Sequence, residues 1–453
     1  MAWNLDDTIV AVGTPLGEGG IGIIRVSGPE AREVLQRLFV PAHGALTPWR
    51  LSYGRVVDPD SGVTVDEALA VWMPAPKTYT RQEVAEIHCH GGPAPLRRVL
   101  ELALGAGARL AEPGEFTLRA FLNGRLDLAQ AEAVIDIVRA KSRAGLQTAV
   151  GQLEGRLSTR VAAVRAQLVG ALAHLEAAID FAQDEIPPCD LPAILTGAAA
   201  ALDGLLAGAE QGQAYRQGIR TAIVGRPNVG KSSLLNALLG RERAIVTAIP
   251  GTTRDTLEET AVVGGVPLVL VDTAGITQAR DPVERLGVER SRAAILASDL
   301  VLLVVDGAQG PAADDWTIAG LVGERPAVLV INKSDLPAAP GMEGLLPGRQ
   351  SVRVSALTGQ GIEDLEQAVL DTALAGHVQA DEMPLVSRPR QADALRRALE
   401  SVRSGLAALQ QGWPDDCISI DVKDAVAALG EITGETVTDD LLARIFADFC
   451  IGK

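Results

Sequence analysis

Between Thr8 and Cys89, short apolar runs alternate with glycine and proline: Thr8–Val12, Ile21–Val26, Ala68–Trp72 and Val84–Cys89. Runs of this length bounded by turn residues predict strands, and the spacing over Ala31–Leu38 predicts one helix among them. Residues 1–120 thus read as an α+β domain. From Leu122 to Phe181 the period changes. Leu153, Leu157, Val161, Val164 and Leu168 recur three and four apart among Ala, Gln, Glu and Arg, with no proline, which predicts long amphipathic helices. A second helical stretch covers about 191–216. At Ile219 the pattern becomes strand, glycine-rich turn and helix, repeated to about residue 375, as in an α/β fold. Gln391–Gln411 and Asp415–Phe449 return to helical periodicity but are too short to bury a good core alone. They are therefore expected to pack on the 122–216 helices, which makes the α/β block an insertion in a discontinuous helical domain. The expected division is 1–120, 121–216, 217–378 and 379–453.

Composition narrows the partners. The 453 residues carry 41 Lys+Arg against 57 Asp+Glu, a formal charge of −16, so any nucleic-acid contact must use a local patch rather than the whole surface. Aromatics are 3%, too few for a row of base-stacking platforms. Cys89, Cys189, Cys417 and Cys450 are widely spaced, with no CxxC pair, as expected of reduced thiols in a cytoplasmic protein. The opening MAWNLDD has no basic segment and no run of eighteen uncharged apolar residues occurs, so neither a signal peptide nor a membrane span is expected. The last four residues miss the prenylation pattern at Gly452 and Lys453.

Gly225-Arg226-Pro227-Asn228-Val229-Gly230-Lys231-Ser232 fits GxxxxGKS/T, and it lies between an apolar strand, Thr221–Val224, and a helix, Ser233–Leu239. Backbone N–H groups of such a turn face phosphates, Lys231 reaches the β/γ oxygens, and the Ser232 hydroxyl ligates Mg²⁺. Asp272-Thr273-Ala274-Gly275 follows strand Val266–Val271, which pairs back on Thr260–Val263 through Gly264-Gly265. There Asp272 would hold Mg²⁺ through water and the Gly275 N–H would meet the γ-phosphate. Asn332-Lys333-Ser334-Asp335 follows strand Ala327–Ile331, and the Asp335 carboxylate can accept two hydrogen bonds from guanine N1 and N2, which adenine cannot offer. Ser355-Ala356-Leu357, after strand Ser351–Val354, supplies a backbone N–H to guanine O6. In this order and at these spacings the set resembles the Ras-like GTPases.

Gly251-Thr252-Thr253-Arg254-Asp255 lies where a threonine coordinates Mg²⁺ and senses the γ-phosphate, and Thr253 is the choice. After Gly275 stands Ile276, which cannot orient water, so Glu284 is the nearest catalytic candidate. No arginine finger is assigned by the motifs. A potassium ion could take that role on Asn228 and on carbonyls near Thr247, Ile249 and Thr252, a reading drawn mainly from family resemblance. The GTP-contacting set also includes Val229, Gly230, Ser233, Ala248 and Pro250.

The whole chain is similar to the MnmE (TrmE) family of tRNA-modification GTPases. This rests on Asp7-Thr8-Ile9, Gly19–Arg25, His90-Gly91-Gly92-Pro93, Pro113-Gly114-Glu115-Phe116, Ala120-Phe121-Leu122-Asn123, Leu126–Glu132 and the terminal Phe449-Cys450-Ile451-Gly452-Lys453. The resemblance implies a homodimer, an N-terminal tetrahydrofolate-binding domain, a helical domain split by a Ras-like G domain, and potassium-dependent GTP hydrolysis. It also implies work with the flavoprotein MnmG (GidA), which carries FAD and NADH, on C5 of the wobble uridine of certain tRNAs. The one-carbon donor would be 5-formyl- or 5,10-methylenetetrahydrofolate. The family's folate contacts fall on Arg25, Glu86, Arg125 and Lys453, with arginine at 125 where many members have lysine. Cys450 resembles the family's functional cysteine. The alternative is a regulatory or ribosome-assembly GTPase switch without modification chemistry. Gly17–Gly22 fits GxGxxG but leads into the strand-like Ile23–Val26, so no dinucleotide site is expected there. His88 and His90 share a strand face without a third ligand, so structural use is expected.

Overall fold

The computed structural model describes residues 5–180, 189–241, 259–271, 291–374 and 383–453. By contacts the described chain forms two compact units, one of residues up to 135 with 430–453, the other of 136–429.

The first unit is built on a seven-stranded sheet. In chain order it contains β1 (Ile9–Val12), β2 (Gly19–Ser27), α1 (Ala31–Leu38), β3 (Phe39–Pro41), β4 (Ser52–Val57), β5 (Thr64–Met73), β6 (Val84–Gly91), α2 (Pro93–Gly105) and β7 (Arg109–Leu110). The strand order is β3-β4-β5-β6-β2-β1-β7, antiparallel except for β1 with β7. Gly17–Gly22 runs into strand β2, as expected from the isoleucines that follow. Both helices bury one stripe: Val34, Leu35 and Leu38 of α1, and Leu96, Val99 and Ala103 of α2, against Val10, Ile24, Val26 and Ile87 of the sheet. The strand-and-turn reading passed over α2, although Pro93 stands at a helix start, where a missing N–H costs nothing.

Three further helices complete this unit: α3 (Glu115–Leu122), α4 (Leu128–Arg139) as far as Ile135 and, from the other end of the chain, α14 (Asp439–Ala447). Leu118, Leu128, Ala131 and Ile135 meet Leu442, Phe446 and Phe449 in one buried cluster. So the last tail helix packs on α3 and α4 and shares a unit with the N-terminal sheet. Asp7 and Glu115, both in family motifs, serve the fully buried Arg119, and Arg109 reaches the same two carboxylates. A buried guanidinium needs such partners, so these acids are held by structure.

The second unit begins with helices. α5 (Arg143–Leu153) and α6 (Arg156–Asp180) are followed by α7 (Leu191–Leu206) and α8 (Ala209–Gln217). After the α/β block come α12 (Pro389–Gln410) and α13 (Asp415–Thr433). α12 packs on α7, and Arg403 bridges Asp203 at 2.7 Å, so the tail helix docks on the earlier helices as the pattern predicts. Asp136, at the end of α4, accepts from Arg388 at 2.7 Å and Arg216 at 3.4 Å. α6 and residues 191–217 are long and apolar enough to cross a membrane by length and composition, which the sequence reading did not expect. Each nevertheless buries a single stripe, Leu157, Val161, Val164, Leu168 and Leu175 on α6 and Leu191, Leu195, Ala198 and Leu202 on α7, while Arg160, Gln167 and Glu176 are exposed. One buried face opposite charged positions is the pattern of paired amphipathic helices.

The α/β block contains β8 (Ile219–Val224), α9 (Lys231–Arg241), β9 (Thr260–Val263), β10 (Val266–Val271), β11 (Leu300–Asp306), α10 (Ala313–Val322), β12 (Ala327–Asn332), β13 (Gln350–Arg353) and α11 (Ile362–Ala373). The sheet order is β13-β12-β11-β8-β10-β9, parallel except for the β9–β10 hairpin. Gly264 and Gly265 form that hairpin's two-residue turn at φ 54° and 84°, angles side chains rarely adopt. Leu300, Leu302 and Val304 of β11 face Leu234, Leu238 and Leu365 of α9 and α11, and the alternate Val301, Leu303 and Val305 face Ile318 and Val322 of α10. Burial on both faces explains the unbroken apolar run of that strand.

Candidate functional site

The nucleotide motifs among the described residues fall at carboxyl ends of parallel strands, where open α/β sheets bind ligands. β8 ends at Val224, and the turn Gly225–Gly230 leads into α9, with Lys231, Ser232 and Ser233 in its first turn. The turn admits no side chain at two positions. A Cβ on Gly225 (φ 148°) would lie 2.2 Å from the Val304 carbonyl oxygen, and one on Gly230 (φ 99°) would lie 2.1 Å from Asn332 Nδ2. Asn228 takes φ 65° between them, a conformation asparagine tolerates better than most residues.

Asn332 is buried at 2% exposure and joins two loops. Its Nδ2 donates to the Val229 carbonyl at 2.8 Å, while its Oδ1 accepts from the Ala356 N–H at 3.0 Å. Next to it, Asp335 Oδ1 accepts from Ser355 Oγ at 2.6 Å, which fixes the plane of the carboxylate expected to read guanine. Lys333, at φ 64°, donates to Asp306 Oδ2 at 2.6 Å. Burial opposes charge on Asp306, yet this bond and the Ala308 N–H hold its carboxyl below the usual range. Leu357 is 86% exposed beside the site.

Lys231 Nζ donates to the carbonyls of Gly225 at 2.8 Å and Arg226 at 2.7 Å, and burial lowers its pKa. Arg226 turns away from the turn: its Nε lies 2.8 Å from Oδ2 of the fully buried Asp315 on α10. The arginine inside the phosphate loop is therefore committed to a helix, not to phosphate. Thr247, Ala248, Ile249, Pro250, Gly251, Thr252, Thr253, Asp272, Thr273, Ala274, Gly275 and Glu284 lie outside the described residues.

A second cluster lies on the first unit's sheet. Arg25 on β2 stands opposite Glu86 on β6, and its Nε donates to Glu86 Oε1 at 2.8 Å. Its Nη1 donates to the Gly452 carbonyl at 3.2 Å, across 427 positions of sequence. The hydrogen bond with His88 at 3.1 Å is the largest influence on Glu86, and with Arg25 it overcomes burial to hold the carboxyl at about 2. Gly452 has φ 92°, and a Cβ there would meet the Val12 carbonyl oxygen at 2.3 Å, so only glycine lets the final turn seat on β1. Lys453 N–H donates to the Cys450 carbonyl at 3.3 Å, and Cys450 is exposed. Arg125 sits 4.7 Å from the Tyr79 ring centroid, Arg25 5.9 Å from that of Phe116, and Tyr79 packs on the cluster containing Phe116. Burial raises the Tyr79 pKa, and its hydroxyl shares a 2.9 Å hydrogen bond with Thr117 Oγ1.

Residues 8–125 match the model of the GTP-binding protein TrmE N-terminus, and 128–450 match that of the MnmE helical domain. The chain is 52% identical over 462 residues to the tRNA modification GTPase MnmE of a Roseiflexus species, covering 99% of both chains. It is 50% identical to that of Chloroflexus aurantiacus over 99% of this chain and all of the relative. The Heliobacterium modesticaldum protein of the same name is 48% identical over 99% of each.

This chain belongs to the MnmE family. Its fold is accordingly a TrmE N-terminal α+β domain, a helical domain and a P-loop G domain with a mainly parallel sheet. Of the MnmE positions taken from sequence, the structure gathers Asn228–Ser233, Asn332, Lys333, Asp335 and Ser355–Leu357 at one sheet end, and Arg25, Glu86 and the 450–453 turn at the other site. Hydroxyl and carboxamide oxygens at Ser232 and Asn228 are hard donors, which suits Mg²⁺ and K⁺ respectively. Sequence reasoning missed His88 as the partner of Glu86. The signal was the i, i+2 spacing, read instead as a pairing of His88 with His90. His90 pairs with Asp66 at 2.7 Å, and burial pushes the Cys89 thiol between the two histidines up to about 11. It also missed Asn332 as the tie between loops, because the motif alone names the ligand and not the neighbour.

Proposed function

We propose that this MnmE-family GTPase hydrolyses GTP with Mg²⁺ on Ser232 and Thr253 and K⁺ on Asn228 and the carbonyls of Thr247, Ile249 and Thr252. Glu284 orients the attacking water, Asp272 holds Mg²⁺ through water, and the Gly275 N–H meets the γ-phosphate. Hydrolysis then drives modification of C5 of the wobble uridine in certain tRNAs, carried out by a homodimer with the MnmG flavoprotein, which brings FAD and NADH. The one-carbon donor, 5-formyl- or 5,10-methylenetetrahydrofolate, lies against Arg25, Glu86, Arg125 and Lys453, with Cys450 close by. The domains are 1–120, 121–216, 217–378 and 379–453.

The observation that carries the GTPase reading is the double tie of Asn332 together with the Ser355–Asp335 bond, which holds phosphate loop and base loop in one frame. For folate it is the carboxylate of Glu86, kept charged and flanked by Arg25, suited to a pterin edge. The test titrates 5-formyltetrahydrofolate into the intact protein and into a form lacking Cys450–Lys453, and compares GTP hydrolysis in potassium and sodium. Weaker folate binding on truncation and faster hydrolysis in potassium are expected. Equal rates in the two salts would remove the potassium role, and an active GTPase without folate binding would leave a regulatory switch.

A further inference from the structure

Trp49, Lys77, Thr78, Tyr79, Arg81 and Arg125 line a cavity of about 410 Å³ in the first unit. No carboxylate lines it, although the chain as a whole carries sixteen more acidic than basic side chains. Lys77, Arg81 and Arg125 are exposed. Arg81 donates to the Asn123 carbonyl at 2.8 Å and Arg125 to that of Tyr79 at 3.5 Å, both neutral acceptors that leave the positive charge uncompensated. Among the described residues none of the three pairs with an acid. Charges of one sign gathered in a concave surface raise the local potential and attract a polyanion.

Backbone geometry marks the same place. Among the described residues, four that are not glycine have positive φ: Asn228 and Lys333 at the nucleotide site, and Trp49 (62°) and Arg81 (58°) here. Such conformations cost free energy and collect where function needs a side chain aimed against its preference. The backbone thus presents Trp49, 53% exposed, beside three cations.

We propose that this pocket seats an unpaired nucleotide of the tRNA beside the folate, its phosphates held by Lys77 and Arg81 and its base stacked on Trp49, with Arg125 at the border shared with the folate. An aromatic face next to flexible cations is the chemistry by which proteins take up single-stranded RNA. Exposed point charges suit phosphates, which are wet. The proposal rests on the tRNA-modification reading.

The experiment measures binding of unmodified tRNA by the full chain across a salt series, for the wild type, Lys77→Glu/Arg81→Glu and Trp49→Ala. Both charge-reversed positions lie outside the GTP and folate sets, so GTP hydrolysis serves as the folding control and folate binding as the readout that separates the two ligands. The double variant is expected to bind tRNA at least about tenfold more weakly, with the slope of log K against log salt shallower by about 1.4, roughly 0.7 for each lost contact. Trp49→Ala is expected to lose about tenfold with the slope unchanged. Wild-type affinity and slope in the double variant would overturn the assignment. So would loss of binding to oligoglutamylated folate with tRNA binding intact, which would give the pocket to an acidic small molecule. A wild-type chain that binds no tRNA at any salt, alone or with the flavoprotein, would defeat the tRNA reading itself and this site with it.

Discussion

Single side chains decide the two sites. Asp335 is held by Ser355 and, in the proposed reading, carries the charge that separates guanine from adenine. Asp335→Asn replaces an acceptor by a donor against guanine N1 and N2, so GTP affinity should fall about 10- to 100-fold, measured by nucleotide titration, while xanthosine triphosphate binding improves. Glu86 gives a pH signature. Its carboxyl lies at about 2 in the folded protein against an ordinary 4.5, so its stabilising effect is complete above 4.5 and is lost as pH falls towards 2. The magnitude is about 3 kcal/mol, and urea unfolding between pH 5 and 2.5 should show a stability slope that Glu86→Gln lacks. Much at this scale was legible: local spacing places Gly225, Lys231 and Asp335 where the structure has them. The Arg226–Asp315 pair was not, because nothing local to residue 226 says that a helix ninety positions later places a buried acid beside it.

Elements were legible where their period was long. α6, α7 and α12 follow from apolar residues three and four apart, and β11 from a run buried on both faces. The edge strands β3 and β7, three and two residues long, have too little pattern to find. Docking between distant helices was legible only in outline. Asp136, at the end of α4, receives Arg388 and Arg216, which flank the entry to α12 and the end of α8. The acid is nearly buried and shared by two guanidinium groups, so Asp136→Ala should cost about 3 to 5 kcal/mol, read as a lower denaturant midpoint. Gly114 makes the equivalent point for α14, since a Cβ there would come within 2.9 Å of the Phe446 carbonyl oxygen. Gly114→Ala, at φ 69°, should destabilise the first unit by about 1 to 3 kcal/mol and weaken folate binding without altering GTP affinity.

For the whole molecule, sequence spacing sets out the G domain within one stretch of chain, whereas the folate candidate site needs residues from both ends. Cys450–Lys453 reach Arg25 because Phe446 and Phe449 lock into the cluster of α3 and α4. That arrangement has a consequence for how the protein is made. The ribosome releases β1, β2 and α3 hundreds of residues before it synthesises α14, so during translation the hydrophobic face formed by Leu118, Leu128 and Ile135 has no cover. At about 5 to 20 residues per second the wait is tens of seconds, long enough for that face to recruit a chaperone. A ribosome-bound nascent chain stalled before residue 430 should therefore be cleaved by protease within 115–135, and the released chain ending at residue 453 should resist.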